Sequence, residues 1–375
     1  ALLRGCARLV DPHTIAVSDY DSGEDLQLAA DFIVICTGAR PRHPPRCHVD
    51  GRVVHDYRSI EEAGREGLPG SAVVLGGGVV ACETACHLAE FGVRTQLLAC
   101  RGFMKELDPL LRESLVQHLE EKRGVAIRTG CEIASVSSDG RRARVELAGG
   151  TPPVEAEAAV IALGSVPNTE WLGLEAAPLR LDARGAVEVD GDMRSSLPHV
   201  FACGDVCSRG GLLSLAKRQG LLAVAALHRD RSRALCAPPA EAPAVIWTVP
   251  EIATVGMKGG RAGSFDVVTR YAECDRGLLE GADDAFFLKV VYEVQSFPSQ
   301  VLIRGVHIFG PHAEKLIARG AELLGRVPAE ALAAALPAAA TLEELYSLNL
   351  QAAVKRTADL RAAPLGPNRS CCAVM

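Results

Sequence analysis

Aromatic residues are scarce in this chain, at 4% of 375 residues, and basic clusters are lacking. With a formal net charge of −6 and no concentrated run of Lys and Arg, the sequence has no electrostatic footprint for a polyanion, which excludes nucleic acid as the expected partner. Apolar runs are short as well. None approaches the roughly 20 residues that span a bilayer, and the opening "ALLRGCARLV" has no signal-peptide core with a cleavage site. A soluble, cytoplasmic protein is expected. Zinc-type cysteine spacing is also absent. The thirteen cysteines include Cys82-x3-Cys86, Cys203-x3-Cys207 and Cys371-Cys372 but no paired C-x2-C halves. No metal site is expected, and the cysteines read as reduced intracellular thiols, those in the core packing as small apolar side chains.

What is present is enough apolar sequence, 48% hydrophobic against 23% charged, to bury two or three separate cores. Leu9 to Leu28 alternates apolar and polar residues around Asp21, Ser22 and Gly23, which predicts an antiparallel β meander. Phe32 to Cys36 is a continuous apolar run broken at Gly38, which predicts a buried strand entering a loop. From Ser71 the chain reads strand, glycine turn and helix, with Gly92 at the C-terminal cap. Asp108 and Pro109 mark the N-cap and first residue of an amphipathic helix. The segment "RRARVELAGGTPPVEAEAAVIALG" alternates around a Gly-Gly turn and ends in a strand from Ala158 to Leu163. After Val200 come a strand, an acidic turn and a helix whose Ala and Leu content reads as buried. A Pro/Ala linker, Ala237 to Ala244, leads to further strands and Ala-rich helices, one of them near Leu332 to Ala340.

Chemistry concentrates in "VVLGGGVVACETACHLAEFGVRTQLLACRG", Val73 to Gly102. Gly76-x-Gly78-x-x-Ala81 follows a strand and opens a helix, the context in which a dinucleotide fingerprint has meaning. Gly76 would allow the tight turn. Gly78 would let a pyrophosphate approach the backbone, where amide donors and the helix dipole stabilise its charge, and Ala81 would let helix and strand pack closely. An NAD site usually ends its second strand with an acid that accepts hydrogen bonds from ribose hydroxyls, yet no Asp or Glu lies between Glu90 and Glu106. Arg101 follows instead, and a guanidinium there suits a 2′-phosphate. NADP(H) is therefore favoured over NAD(H), with an ordinary surface arginine as the plain alternative. Asp205 in "CGDV", after an apolar strand, reads either as an acceptor for a ligand hydroxyl or as an N-cap.

The stretches "ICTGARPR", "GGGVVACE", "ALGSVPNT", "HVFACGDV", "WTVPEIATVG" and "GVHIFGPHAEKLI", in this order, resemble the pyridine nucleotide–disulfide oxidoreductase flavoproteins. "GCARLVDPHTIAV" and "VVHDYRSI" resemble most the soluble transhydrogenase branch of that family. The resemblance implies an α/β fold in which a Rossmann-like NAD(P)-binding domain (55–167) is inserted into a partial FAD-binding domain (1–54 and 168–236). An α+β dimerisation domain (237–360) and a tail (361–375) follow. It also implies that Thr37, Gly38, Asp205 and Ala216 meet FAD, while Gly76, Gly78, Ala81, Glu83, Arg101 and Gly164 meet NAD(P). A homodimer is expected. The implied activity is transhydrogenation of the Si-specific type: a ping-pong relay of hydride from NADPH to flavin N5 and then to NAD⁺. The alternatives are a disulfide reductase or dihydrolipoamide dehydrogenase whose redox cysteines precede Ala1, and a truncated nucleotide-binding or dimerisation module without activity.

Three departures from the family bear on this reading. The chain opens where about a quarter of a family member would have passed, so the glycine turn for the ADP half of FAD and the C-x4-C pair are expected to be missing. In "LPAAATLEELY" alanines stand where disulfide reductases carry a His-Pro, and Ser165 replaces the usual Arg. The terminal "CAVM" fits a prenylation box with Cys372 as acceptor and Cys371 beside it, so a membrane partner is expected only if that box is used.

Overall fold

The structure, a computed structural model, describes residues 2–20, 23–65, 67–207, 211–228, 242–296, 299–325, 329 and 341–362. The predicted helix near Leu332 to Ala340, most of the Pro/Ala linker and the Cys371-Cys372 tail lie outside these residues. The chain divides into two compact units, residues 1–103 with 126–242, and residues 104–125 with 243–375.

In the first unit, β1 (Gly5–Asp11), β2 (Thr14–Asp19) and β3 (Asp25–Ala29) form the antiparallel meander. β4 is confined to Ile33–Ile35, and its Val34 is 41% exposed, so this strand is covered on one face only. β5 (Ala39–Pro41), β6 (Val54–Asp56) and α1 (Ser59–Ala63) follow, then β7 (Ser71–Leu75), α2 (Val79–Glu90) and β8 (Arg94–Ala99). After α3 (Pro109–Gln117), which belongs to the other unit, come β9 (Ala126–Thr129), β10 (Ile133–Ser138), β11 (Ala143–Leu147), β12 (Val154–Ala156), β13 (Ala158–Ile161), β14 (Ser165–Pro167), β15 (Val200–Ala202) and α4 (Leu213–Leu227).

The centre of this unit is a parallel sheet in the order β6-β13-β7-β8-β9. Val73, Val74 and Leu75 are fully buried because α2 covers one face and the antiparallel sheet β10-β11-β12 the other. Burial on both faces is why β7 is an unbroken apolar run rather than an alternating one. α2 ends at Glu90 with Phe91 as its C-cap, and Gly92 follows with φ +83°, a left-handed conformation that glycine adopts without steric cost. β4 and β15 pair in parallel, with Ile35 opposite Ala202. α4 is less buried than its composition suggests. Leu213, Leu221 and Val224 are exposed, and only one stripe, including Leu222, Ala223 and Ala226, packs inward.

The second unit is an antiparallel sheet in the order β16-β17-β20-β19-β18, built from Ala244–Ile246, Ile252–Gly256, Ser264–Arg270, Phe287–Ser296 and Ser299–Phe309 for β16 to β20 in turn. α5 (Asp275–Glu280), α6 (Ala313–Leu323) and α7 (Glu344–Ala362) complete it. Leu288, Val290, Tyr292, Val306 and Ile308 pack with α6 and α7, whereas the alternate residues of the same strands serve α3. Asp108 is the N-cap of α3, its Oδ1 accepting from Leu110 N at 3.0 Å. Its Oδ2 pairs with Lys289 Nζ at 2.9 Å, and Lys289 also pairs with Asp266 at 2.9 Å. Burial alone would push the Asp108 carboxyl up, but the Lys289 bond and the neighbouring His307 hold it below the usual carboxylate range. Leu111, Leu115 and Leu119, one turn apart, bury the face of this segment.

Candidate functional site

The turn after β7 brings backbone unusually close to backbone. A Cβ on Gly76 would collide with the Ala162 carbonyl oxygen, and one on Gly77 with the Gly102 carbonyl oxygen. Gly76 has φ +142°, a region that favours glycine, and its N–H donates to Leu98 O at 2.9 Å. Gly78 differs: it caps α2 with φ −96° and ψ −173°, and a Cβ there would meet nothing within 4 Å. Its carbonyl accepts the first helical bond, from Cys82, and no side chain caps the helix. The first amides of α2 therefore face open space, the arrangement that receives an anion. Ala81 is fully buried, and its Cβ lies 3.1 Å from the position a Gly76 Cβ would take, so only a small residue fits where helix meets turn.

The sheet order places this turn at a topological switch point, since the chain runs from β7 outward through β8 and β9 and returns on the other side of β7 as β13. Ligands of open α/β sheets bind outside the carboxyl ends of the strands at such points. Gly164, at the end of β13, has φ +100° and open space where a side chain would stand. Just after β8, Arg101 is exposed, and because Gly102 presses on Gly77 the residue belongs to the loop beside the glycine turn. Among the described residues Arg101 forms no hydrogen bond or ion pair. Glu83, half-buried on α2, lines a groove of about 490 Å³ with Tyr57, Glu61, Thr84 and His87.

Thr37, Gly38, Asp205 and Ala216 gather at the carboxyl ends of β4 and β15. Asn168 fixes the first pair: Thr37 Oγ1 donates to Asn168 O at 2.8 Å, Asn168 Nδ2 donates to Thr37 O at 2.9 Å, and Asn168 N donates to Gly38 O at 2.9 Å. Asp205 sits inside a 3-10 turn, Gly204–Val206, while the N-cap of α4 is Leu212. The carboxylate is thus not the cap of that helix, and it is half-buried. Gly204 N donates to the buried Gln219 side chain at 2.7 Å, and the Ala216 Cβ stands 3.5 Å from where a Gly204 Cβ would be. Sequence reasoning missed Gly77, whose signal was the middle glycine of "GGG", and Asn168, which carried no signal because its partners are distant in sequence.

Residues 2–220 match the profile of a family described as "Pyridine nucleotide-disulphide oxidoreductase". The chain belongs to this family. Within it, the chain is 30% identical to a soluble pyridine nucleotide transhydrogenase of Mycobacterium bovis, covering 86% of this chain and 68% of that one. It is 29% identical to a dihydrolipoyl dehydrogenase of Geobacillus stearothermophilus, covering 92% and 72%. Among solved structures, LpdA of Mycobacterium tuberculosis superposes with a TM-score of 0.80 at 25% identity, over 94% of this chain and 75% of that one. The flavoprotein disulfide reductase RclA of Escherichia coli shares the fold, with a TM-score of 0.81 at 21% identity over 94% and 79%. The protein is accordingly an FAD-dependent pyridine nucleotide oxidoreductase.

The residues present fit these cofactors. The open side of Gly78 and the uncapped amides of α2 suit a dinucleotide pyrophosphate. The half-buried Asp205 carboxylate and the α4 N-terminus, which no side chain caps, suit a flavin with its ribityl hydroxyls. β4 and β15 supply no glycine turn of the Gly76–Gly78 type. Among the described residues no helix is long and apolar enough to cross a membrane.

Proposed function

We propose that the protein is an NAD(P)⁺ transhydrogenase that carries hydride from NADPH to NAD⁺ and acts as a homodimer through its C-terminal residues. The observation that supports this most is the unpaired Arg101 beside Gly77, on a strand end with no carboxylate between Glu90 and Glu106. A guanidinium so placed would pair with a 2′-phosphate, and the missing acid removes a repulsion. FAD, when bound, supplies the site that receives hydride from one nicotinamide and returns it to the other.

The chain's own groups bind and orient. Gly76 makes the tight turn, Gly78 leaves room for the pyrophosphate, the α2 amides donate to it, and Ala81 keeps the helix against the turn. Glu83 orients the nicotinamide, and Gly164 leaves the crevice open. Thr37 and Gly38, held by Asn168, border the flavin, and Asp205 accepts from a ribityl hydroxyl. The first amides of α4, near Ala216, would stabilise the negative charge of a reduced flavin held there. Alanines in "LPAAATLEELY" offer no acid/base group. Proton transfer to a leaving thiolate would then lose roughly 10²–10⁴ in rate, which favours exchange between nucleotides over disulfide reduction.

The full chain reconstituted with FAD should reduce thionicotinamide adenine dinucleotide at the expense of NADPH and should not turn over glutathione disulfide or lipoamide with NADPH. Turnover of disulfides alone would overturn the proposal.

A further inference from the structure

Three cysteines lie at the carboxyl ends of β4 and β15. The parallel register puts Ile35 opposite Ala202, so Cys36 and Cys203 directly follow the paired ends of the two strands, and Cys203 N donates to Ile35 O at 3.0 Å. Neighbouring strands lie about 4.8 Å apart, inside the Cα separation of roughly 4.4–6.8 Å that a disulfide spans. Both side chains are on one face, since Ile33, Ile35, Val200 and Ala202 fill the opposite core while Phe201 and Cys203 pack with α4. The two thiols are neighbours on that face, and a bond from one to the other is what sets their acidities apart. Cys36 is exposed and Cys203 buried.

Their reactivities are unequal. The bond from Cys203 stabilises the Cys36 thiolate and lowers its pKa to about 7, while the same bond, with burial, pushes the Cys203 thiol up. Cys207 is occupied elsewhere: its Sγ donates to Ala202 O at 3.2 Å and Gly204 O at 3.4 Å, and burial raises it to about 11. Among the described residues no three His, Cys, Asp or Glu side chains are arranged to hold a metal ion.

We propose that Cys36 and Cys203 are a redox-active dithiol, which closes to an intramolecular disulfide by exchange with a small diffusible disulfide. The Cys36 thiolate attacks one sulfur of the diffusible disulfide, whose S–S bond breaks and releases one thiolate. Capping Cys36 removes the neighbouring charge that held the Cys203 proton in place. Cys203 then loses that proton and attacks the Cys36 sulfur, expelling the second thiolate. Two protein thiols are oxidised and one small disulfide is reduced to two thiols, which take up the two protons the protein releases. Neither this chemistry nor its test depends on the identity of the hydride acceptor.

The test is peptide mapping of the full chain after treatment with oxidised glutathione and alkylation of remaining thiols. In the wild type the peptides bearing Cys36 and Cys203 should be linked, and dithiothreitol should release them. Cys207→Ser should keep the link, and Cys203→Ser should instead accumulate glutathione on Cys36. At pH 7 the Cys36 thiolate fraction exceeds that of an ordinary thiol about 15-fold, and its lower intrinsic nucleophilicity trims the advantage, so iodoacetamide should modify Cys36 about threefold faster than it modifies the cysteine of an unstructured peptide. Recovery of unlinked Cys36 from the wild type, or loss of the link in Cys207→Ser but not in Cys203→Ser, would overturn the assignment.

Discussion

A single guanidinium carries the cofactor preference proposed here. Arg101 is exposed, has no partner among the described residues, and belongs to the loop that presses on the glycine turn. A charge-assisted hydrogen bond contributes about 1.5–3 kcal/mol, or roughly a 10- to 150-fold effect on affinity. Arg101→Glu should therefore weaken NADPH binding at least tenfold in an equilibrium titration and change NADH binding less than twofold. Equal loss for both nucleotides would make the arginine an ordinary surface residue. The arginine was readable from sequence because the absence of an acid is a local fact. The partner of Cys36 was not, because it stands on a strand far along the chain and only the register of β4 with β15 brings the two thiols together.

Among the elements, the strand–turn–helix around Gly76 was the most legible, since each glycine answers a local steric demand. The meander, the Asp108 cap and the strand ending near Ile161 were legible for the same reason. Burial of α4 was not: an Ala/Leu-rich composition states that a helix forms but not how much of it is covered, and Leu221 and Val224 remain exposed. The face of α3 could be read from Leu111 and Leu115, but not the sheet it would cover. Two substitutions separate shape from binding in the glycine turn. Gly77→Ala forces a Cβ against the Gly102 carbonyl, which should cost about 1–3 kcal/mol and lower the melting temperature by several degrees. Gly78→Ala meets open space at an ordinary φ of −96°, so it should melt like the wild type while losing NADPH affinity. Undiminished affinity in Gly78→Ala would remove the phosphate from that side of the turn.

At the scale of the whole molecule, stability should depend on pH through a carboxyl pair in the second unit. α6 begins at Ala313 after His312, an N-cap residue with φ +64° whose side chain caps nothing, and Glu251 accepts from Glu314 N at 3.4 Å. Burial, then the bond shared with the Glu314 carboxyl, raises Glu251 from 4.5 to about 7. A folded-state pKa above the unfolded one means that the folded protein holds the extra proton between these values, so this contribution is complete below about pH 4.5 and is lost as pH rises through about 7. Glu251→Gln abolishes the titration. Thermal melts from pH 5 to pH 8 should show the wild type losing stability relative to the variant, and a constant difference across that range would exclude the pair as the cause.

The Asp108–Lys289 bond joins residues 181 positions apart, and this separation becomes a delay during synthesis. At about 5–20 residues per second, a ribosome needs roughly 10–35 s after making Asp108 before Lys289 exists. For that interval α3 has neither a counter-charge for its cap nor a sheet for its leucine stripe, so the nascent chain must carry an apolar helix in waiting, with the first unit largely synthesised around it.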